Sequence, residues 1–412
     1  MLRKVYGGIL SLVNSYRKDA FPVSAAKHGA RITGKYIVSS TAGETFNAFH
    51  PKPLPPDPPL AMQPGDHELM EKANLALGRL DGLTTLIPDT SLFIYMYVRK
   101  EALLSSQIEG TQSSLYDLLL YESEQVPGVP LDDVREVSQY VAAMDFGLRR
   151  IREGFPISNR LICDIHEVLL SKGRGSRMTP GEFRRTQNWI GGTRPGNAHF
   201  VPPPPELVTD CMSDLEKYIN KGGTPILLKA ALSHVQFETI HPFLDGNGRL
   251  GRLLITLLLC AEGALTESLL YLSLYFKSNR DTYYDLLDRV RTKGDWESWV
   301  RFFFSGVLET SERAAQTAHA LLKLFEDDRR KIEGLGRPAS SALKVHELLK
   351  EKLIISIPKA SSDTGITRPT VASSVRHLEK LKIIREFTGR ERGRLYVYDK
   401  YLEILQEGTE PL

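Results

Sequence analysis

Cysteine is scarce in this sequence, and the few cysteines that it has lie far apart. The 412 residues include only Cys163, Cys211 and Cys260, which form no CxxC pair and cannot build a disulfide framework. Disulfides persist mainly in oxidising compartments, so their lack favours a reducing one. We therefore expect a cytoplasmic protein.

Long hydrophobic runs and an excess of one charge are also missing. The longest apolar run, Leu253 to Ala261, is interrupted by Thr256 and is far shorter than the roughly 20 residues that span a bilayer. With 53 basic and 50 acidic side chains the net charge is only +3. The chain as a whole thus has no strong electrostatic reason to bind nucleic acid or an anionic membrane. We expect no membrane association.

The patterns that are present predict a mainly helical protein of two or three domains. A proline-rich stretch, 46–66, predicts an extended arm, because proline cannot continue a helix or a central strand. Apolar residues at helical spacing follow it. The predicted segments are Glu68 to Arg79, Ser91 to Leu104, Ser113 to Leu120, Asp132 to Glu153, Asn159 to Leu170, Glu206 to Ile219, Ile226 to Ile240, Gly248 to Gly263, Arg280 to Arg291 and Trp296 to Ala318.

Two stretches depart from the helical pattern. Thr186 to Val201 combines glycines with short apolar pairs and predicts a β-hairpin. Beyond Gly334, Gly336 and Pro338, helical segments followed by two strand-like stretches predict a winged helix. The predicted domains are a flexible leader (1–45), an N-terminal helical region (46–125), a core region (126–325) and the winged helix (338–412).

The segment from His241 to Arg252 contains the residue types that phosphate chemistry needs. Gly246, Asn247 and Gly248 tolerate positive φ, and successive amides in such a turn can bind an anion beside the start of the next helix. The other candidate groups are two arginines, a carboxylate suited to Mg²⁺ and one imidazole that can accept a proton near neutral pH. These are Arg249, Arg252, Asp245 and His241. The set predicts phosphoryl or nucleotidyl transfer to a hydroxyl.

This string resembles the Fic family motif HxFx(D/E)GN(G/K)RxxR and matches it at every position. The resemblance implies a Fic-type helical core with a β-hairpin flap, and transfer of AMP from ATP to a protein hydroxyl. It makes His241 the general base and Asp245 the Mg²⁺ ligand. Phe243 would anchor the loop. The residues implied to bind the phosphates of ATP are Gly246, Asn247, Gly248, Arg249 and Arg252.

The resemblance extends from about Phe46 to Phe304 and implies further contacts. It assigns Asn279, Tyr283 and Tyr284 to the adenosine of ATP. It also identifies the hairpin near Thr186 to Val201 as the flap that positions the target side chain. The implied flap residues are Ile190, Gly191, His199, Phe200 and Val201.

A second family motif lies upstream of the loop. Ser105-Ser106-Gln107-Ile108-Glu109-Gly110 resembles the inhibitory pattern (S/T)xxxE(G/N). Ser105 and Glu109 are four residues apart and share one helix face. The resemblance implies that Glu109 pairs with Arg252 and suppresses the activity. The same carboxylate could instead serve the reverse reaction, removal of AMP.

Alternatives to this function remain open at the level of sequence. The donor could be another nucleotide, or the group moved a bare phosphate. The chain could also be a DNA-binding regulator that uses its Fic unit as a nucleotide sensor, with Arg368, Arg376 and Arg392 of the winged helix at the DNA. A homodimer is expected, because dimers are common among soluble proteins.

Overall fold

A computed structural model describes residues 31–41, 43–86, 91–122, 130–173, 175–389 and 393–411. Within these ranges the protein is mainly α-helical, as predicted. The helices of the first part are α1 (Pro64–Leu86), α2 (Ser91–Ile108), α3 (Leu115–Glu122), α4 (Leu131–Arg152), α5 (Asn159–Leu169), α6 (Pro205–Ile219), α7 (Ile226–Ile240), α8 (Asn247–Ala261), α9 (Ser273–Ser278), α10 (Arg280–Lys293) and α11 (Trp296–Glu333).

Helices α7 and α8 form the centre of the core. They pack on each other, with α4 and α5 against α8, and α6 and α11 against α7. Almost every residue of α7 is buried, including polar ones such as His234 and Glu238, because other helices cover it on several sides. The connection between these two helices is the loop singled out above, so it lies within the core. Among the helices of the described ranges, none is long and apolar enough to cross a membrane.

A β-hairpin precedes the helices, and the sequence analysis did not predict it. Strand β1 (Gly34–Thr41) pairs antiparallel with β2 (Glu44–Pro51), so that Tyr36 lies opposite Phe49. The alternating burial along β2 is what a strand with one covered face requires. The hairpin takes in the end of the predicted leader and the start of the predicted extended arm, whose residues 46–51 are extended as part of β2. Residues 1–30 of the leader lie outside the described residues.

Helix α11 crosses the predicted boundary between the core and the C-terminal unit. The sequence predicts the end of the core at residue 325, but the helix continues to Glu333. Pairs of opposite charge four residues apart support this turn: Arg330 bonds Glu326 at 3.0 Å and Arg329 bonds Glu333 at 3.0 Å. The boundary at 325 thus falls inside a helix.

The C-terminal module follows directly, and all described residues from Ile32 onward form one compact unit. Its elements are α12 (Ala339–Lys352), β3 (Ile354–Ser356), α13 (Ile357–Thr364), α14 (Arg368–Lys380), β4 (Ile384–Glu386), β5 (Leu395–Tyr398) and α15 (Asp399–Gln406). The strands form an antiparallel sheet in the order β3-β5-β4. This order of helices and strands is that of a winged helix. Tyr398 fixes the module to α11 by donating to Asp328 Oδ2 at 2.8 Å.

Candidate active site

Two residues with left-handed backbone conformations set the course of the loop between α7 and α8. His241 ends α7 at φ +49° and ψ 61°, and Pro242 follows it. Gly246 has φ +76° and directly precedes α8. A left-handed histidine is strained, typically by about 1–3 kcal/mol, and persists only where its surroundings hold it. The structure must therefore contain groups that fix this turn.

The side chain of Asn247 is one of these groups. It is 2% exposed, accepts from the Phe243 amide at 2.9 Å and donates to the Phe243 carbonyl at 2.8 Å. Both of its polar atoms are thus used within the loop. Only the backbone amide of Asn247, at the first turn of α8, can meet the predicted phosphates.

Arg184 and Asn188, which sequence analysis missed, hold the outside of the loop. The Arg184 guanidinium donates to the carbonyls of His241 at 2.9 Å and Pro203 at 2.6 Å, and its amide donates to Pro242 at 2.9 Å. Asn188 donates to the carbonyls of His241 and Phe243, at 3.2 and 2.9 Å. No local sequence pattern predicts these contacts, because the donors and acceptors are more than 15 residues apart in the sequence.

Phe243 anchors the loop in the core, the role that the resemblance implied. Its buried ring stacks on His166 of α5, with the ring centroids 3.7 Å apart. His166 accepts from the Gly181 amide through Nδ1, so Nε2 carries the proton that is donated to the Asp245 carbonyl at 3.0 Å. Burial lowers the pKa of His166 to about 4, which keeps its imidazole neutral at physiological pH.

His241 itself is largely buried beside charged neighbours. Burial lowers the pKa of its imidazole to about 3, and the nearby guanidinium groups of Arg291 and Arg184 act in the same direction. Its Nδ1 lies 3.9 Å from Glu238 Oε2. The imidazole is therefore neutral across the physiological pH range and can accept a proton. Binding of a polyanion beside it would strengthen it as a base.

Asp245 lies at the rim of the loop, with 41% of its side chain exposed. Its Oδ1 accepts from the Gly246 amide at 2.6 Å and lies 3.5 Å from Arg249 Nη2. Arg249 is buried and also bonds Glu136 of α4 at 3.2 Å. This carboxylate on α4 gave no sequence signal, because it lies 113 residues from the loop. Asp245 combines access to solvent with a fixed position, which suits a metal ligand.

Arg252 is enclosed by the segment that resembles the inhibitory motif. Its guanidinium, 1% exposed, donates to Ser105 Oγ and to the Ser105 carbonyl, both at 2.9 Å. It also donates to Glu109 Oε1 at 2.7 Å. Burial by itself raises the pKa of Glu109, but the charge of Arg252 outweighs it and leaves the pKa lowered. The pair predicted from sequence is therefore present as a charged contact.

The carboxylate of Glu109 also lies against the start of α8. A Cβ placed on Gly248 would clash with Glu109 Oε1. The first amides of an α-helix have no partners within the helix and attract anions. Glu109 thus brings a negative charge to the place where the sequence predicts phosphate binding.

The three residues assigned to adenosine lie in different surroundings. Tyr284 is 40% exposed. Partial burial of its hydroxyl, and to a smaller extent the negative charge of Glu109, raise the pKa of Tyr284 to about 12. Asn279 separates α9 from α10 and donates to the Tyr275 carbonyl at 2.9 Å. Tyr283 is 1% exposed, and its hydroxyl bonds His234 at 2.8 Å. In this structure Tyr283 is a core residue, so direct contact with a nucleotide is available only to the other two.

The flap is less regular than the predicted hairpin. Ile190 and Phe200 form an isolated antiparallel bridge, and a 3₁₀ turn (Pro195–Asn197) joins the two sides. Prolines 202–205 limit further pairing, because they have no amide hydrogen to donate. On its outer side the flap continues into the N-terminal hairpin, where Phe49 donates to Val201 at 2.9 Å.

The remaining flap residues lie around this bridge. Gly191 has φ +69°, and His199 is exposed, with its Nε2 3.7 Å from Asp288. The Arg291 guanidinium lies 4.1 Å from the centre of the Phe200 ring. At the C-terminal module, Arg368 and Arg376 are exposed on α14, whereas Arg392 lies outside the described residues. The predicted sites thus form one cluster around the loop and a separate one on α14.

Two protein-family models match the part of the chain that contains the loop and Glu109. A model described as Fic/DOC family N-terminal matches residues 67–149, and one described as Fic/DOC family matches residues 156–259. Proteins named Protein adenylyltransferase Fic from Culex quinquefasciatus and Drosophila melanogaster are 32% and 30% identical over 201 and 200 residues, 47% of this chain in each case. The chain spans 37% of the length of either relative.

A solved structure has the same fold over most of the chain. The crystal structure of a Fic family protein from Desulfovibrio desulfuricans G20 is 20% identical and superimposes with a TM-score of 0.55. The match covers 82% of this chain and 97% of that protein. At this level of identity the likeness concerns the fold alone.

Proposed function

We propose that this chain, which belongs to the Fic/DOC family, is a protein adenylyltransferase that is inhibited by its own Glu109. It would transfer AMP from ATP to a serine, threonine or tyrosine hydroxyl of a target protein. The curated relatives named Protein adenylyltransferase Fic support the reaction, and their similarity lies in the part of the chain that contains the loop. The observation that carries the proposal is the Arg252–Glu109 contact at the start of α8.

The chemistry follows from the neutral His241 and the anion-binding turn beside it. His241 takes the proton of the target hydroxyl, and the hydroxyl oxygen attacks the α-phosphorus of ATP. The bond from that phosphorus to the bridging oxygen breaks, and pyrophosphate leaves. The amides of Gly246, Asn247 and Gly248 would hold the phosphates as negative charge develops, which is the principal source of catalysis in such reactions.

Asp245 fits a Mg²⁺ ion that is shared with the nucleotide. Mg²⁺ keeps several waters and is commonly held by one or two carboxylates together with substrate phosphates. The described residues contain no group of three or more histidine, cysteine or acidic side chains placed around a metal. A single exposed carboxylate at the rim agrees with that mode of binding. When bound, the ion would neutralise charge on the phosphate oxygens.

Glu109 would inhibit by occupying Arg252 and the mouth of the turn. The γ-phosphate of ATP and the Glu109 carboxylate are both anions that compete for the same guanidinium and the same helix start. A contact of this charge-assisted type contributes on the order of 1.5–3 kcal/mol. Losing it should therefore raise the rate by roughly 10- to 100-fold.

Labelling with radioactive ATP tests the proposal. The wild type, Glu109→Gly and the double variant Glu109→Gly/His241→Ala are incubated with Mg²⁺ and ATP labelled at the α-phosphate. We expect strong incorporation only for Glu109→Gly. ATP labelled at the γ-phosphate is the control, since transfer of a bare phosphate would use that label. Equal incorporation of the α-label by the wild type and by Glu109→Gly would refute the inhibitory role of Glu109. Incorporation of the γ-label would refute transfer of AMP.

A second candidate activity belongs to the C-terminal module. Helix α14 exposes Arg368 and Arg376 two turns apart, and the module has the element order of a winged helix. Residues 337–412 contain 14 basic and 10 acidic side chains. These features favour contact with DNA phosphates through α14. Ser374 of the same helix is not available for such a contact, because it is buried and its hydroxyl donates to Ser341 Oγ at 3.1 Å.

A further inference from the structure

The described chain ends in a short segment that lies against the helix preceding Glu109. This segment, Glu407–Glu410, follows α15 and is called the C-terminal strap below. The Lys100 ammonium on α2 donates to the Glu407 carbonyl at 2.9 Å, and Lys277 of α9 donates to the Glu410 carbonyl. Thr409, between them, is 2% exposed. The strap is thus seated in a groove formed by α2 and α9.

Gln107, a residue of the inhibitory motif, forms the centre of this groove. Its buried side-chain amide donates to the Thr409 carbonyl and to the Ser113 carbonyl, both at 2.9 Å. Its Oε1 accepts from Lys277 at 2.7 Å. The amide is therefore shared by the strap, which is 302 residues distant in sequence, and by the turn that follows Glu109.

The last turn of α2 is consequently held from two sides. Ser105 and Glu109 share the face that binds Arg252. Gln107 is two residues from either, so its side chain leaves the helix about 200° around the axis, on the opposite side. Because α2 ends at Ile108, Glu109 lies just beyond the last helical turn. Its position depends on that turn being kept in place.

We infer that the C-terminal strap is part of the inhibitory device and holds the last turn of α2 where Glu109 can reach Arg252. Release of the strap would free this turn and activate the enzyme. The inference rests on the proposed function and adds the means by which the C-terminal module could control it. α15 connects the strap to the module, so a partner that engages the module could act on Glu109 through it.

The contacts of the strap suit a device that opens without unfolding the protein. Lys100, Gln107 and Lys277 donate to its backbone carbonyls, and Arg313 Nη2 lies 3.5 Å from Glu407 Oε1 at the surface. Burial lowers the pKa of Lys100 to about 8, so this contact also weakens in mild alkali. Segments held by few buried contacts are those that open locally at low cost.

Two variants displace the strap without touching the active-site loop. One ends the chain at Gln406. The other is Gly408→Val, because Gly408 has φ +77° and a Cβ there would lie 2.9 Å from Leu274 Cδ1. Gly263→Val is the matched control: Gly263 has φ +72°, and its Cβ would meet no neighbour within 4 Å. The control thus carries the same backbone strain without the contact.

The first measurement is labelling from ATP carrying a radioactive α-phosphate. We expect both strap variants to exceed the wild type by roughly 5- to 50-fold, the usual range of coupling between sites, and Gly263→Val to equal it. In the Glu109→Gly background the truncation should add less than about twofold, because both changes act on one contact. Strap variants that label no better than Gly263→Val overturn the inference.

The second measurement does not depend on activity. Amide hydrogen exchange reports the turn directly, since Glu109 and Thr111 donate to the Ser106 carbonyl and Gly110 donates to the Gln107 carbonyl. We expect these amides to exchange at least about tenfold faster in the truncated protein, as in other locally opened segments. If Glu109→Gly fails to label, the proposed function fails, whereas the exchange data still decide on the strap. Unchanged exchange after truncation overturns the inference by itself.

Discussion

At the scale of single residues, several side chains of the site bind the backbone of the loop. The strained turn at His241 is fixed by donors to its carbonyl from Arg184 and Asn188. Asn247 closes the loop from within by pairing with both backbone groups of Phe243. Catalysis by positioning requires such support, since displacements of about 1 Å can cost on the order of 100-fold in rate.

Asn247→Asp tests this supporting role. The new carboxylate can still accept from the Phe243 amide, but it opposes the Phe243 carbonyl with a second acceptor. We expect a loss of at least about tenfold in α-phosphate labelling by the Glu109→Gly variant, since breaking a buried hydrogen bond costs roughly 1–3 kcal/mol. Asn220→Asp is the control: it removes comparable amide bonds, to Ile157 and Glu216, far from the loop. Labelling by Asn247→Asp equal to that by the control would contradict the assignment.

At the scale of elements, the helices deliver the parts of the site from distant stretches of sequence. Helix α8 presents its start and both arginines. The end of α2 and the residue after it, Glu109, bind Arg252, and α4 supplies the carboxylate that bonds Arg249. Helix α11 extends the core into the C-terminal module instead of ending at 325. The module is therefore attached through a continuous helix, and Arg368 and Arg376 of α14 remain exposed.

The exposed arginines of α14 lead to a prediction about DNA. At low salt we expect the wild type to shift a short DNA duplex, and the double variant Arg368→Glu/Arg376→Glu to lose the shift, because phosphate contacts supply most non-specific affinity. Arg329→Glu/Arg330→Glu introduces the same change of charge on exposed α11 positions and should still bind. A wild type that gives no shift at low salt would end the DNA hypothesis.

At the scale of the whole molecule, several buried histidines connect folding to pH. Burial lowers the pKa of His166 and His346 to about 4, and of His234 and His241 to about 3. All four are neutral in the fold but take up protons near pH 6.5 when the chain unfolds. Their contribution to stability is thus complete above pH 6.5 and falls as the pH falls. Burial raises the pKa of Glu101 and Glu238 to about 7, which offsets part of this loss.

His346→Gln isolates one of these histidines. His346 is a buried residue of α12 that faces β5, and its Nε2 is 3.2 Å from the Tyr398 hydroxyl, a contact that glutamine can also make. Glutamine takes up no proton on unfolding. Relative to the wild type, the variant should therefore gain about 2 kcal/mol in unfolding free energy between pH 7 and pH 5. Denaturant unfolding at the two pH values measures this difference. The exposed His67→Gln is the control, and equal pH dependence of the two variants would refute the prediction.

The residues proposed to carry the chemistry could be identified from the sequence alone. The turn-forming Gly246, the carboxylate, the arginines and the histidine all lie within twelve consecutive residues, so their spacing fixes their arrangement. Most helices were predictable for the same reason, because their apolar periodicity is local. The contact between Glu109 and Arg252 was also predictable, since the motif Ser105–Gly110 is a short local pattern.

The side chains that fix the loop and the end of α2 could be identified only from the tertiary structure. Arg184, His166, Glu136 and Gln107 act through partners that are 15 to 302 residues away, and no local pattern encodes such distances. Burial likewise assigned Tyr283 to the core and left Tyr284 accessible, although the two are adjacent. Residues at short, regular spacing can be recognised from the sequence, because their neighbours along the chain fix their arrangement. Packing and long-range hydrogen bonds depend on the folded chain and can be recognised only in the tertiary structure.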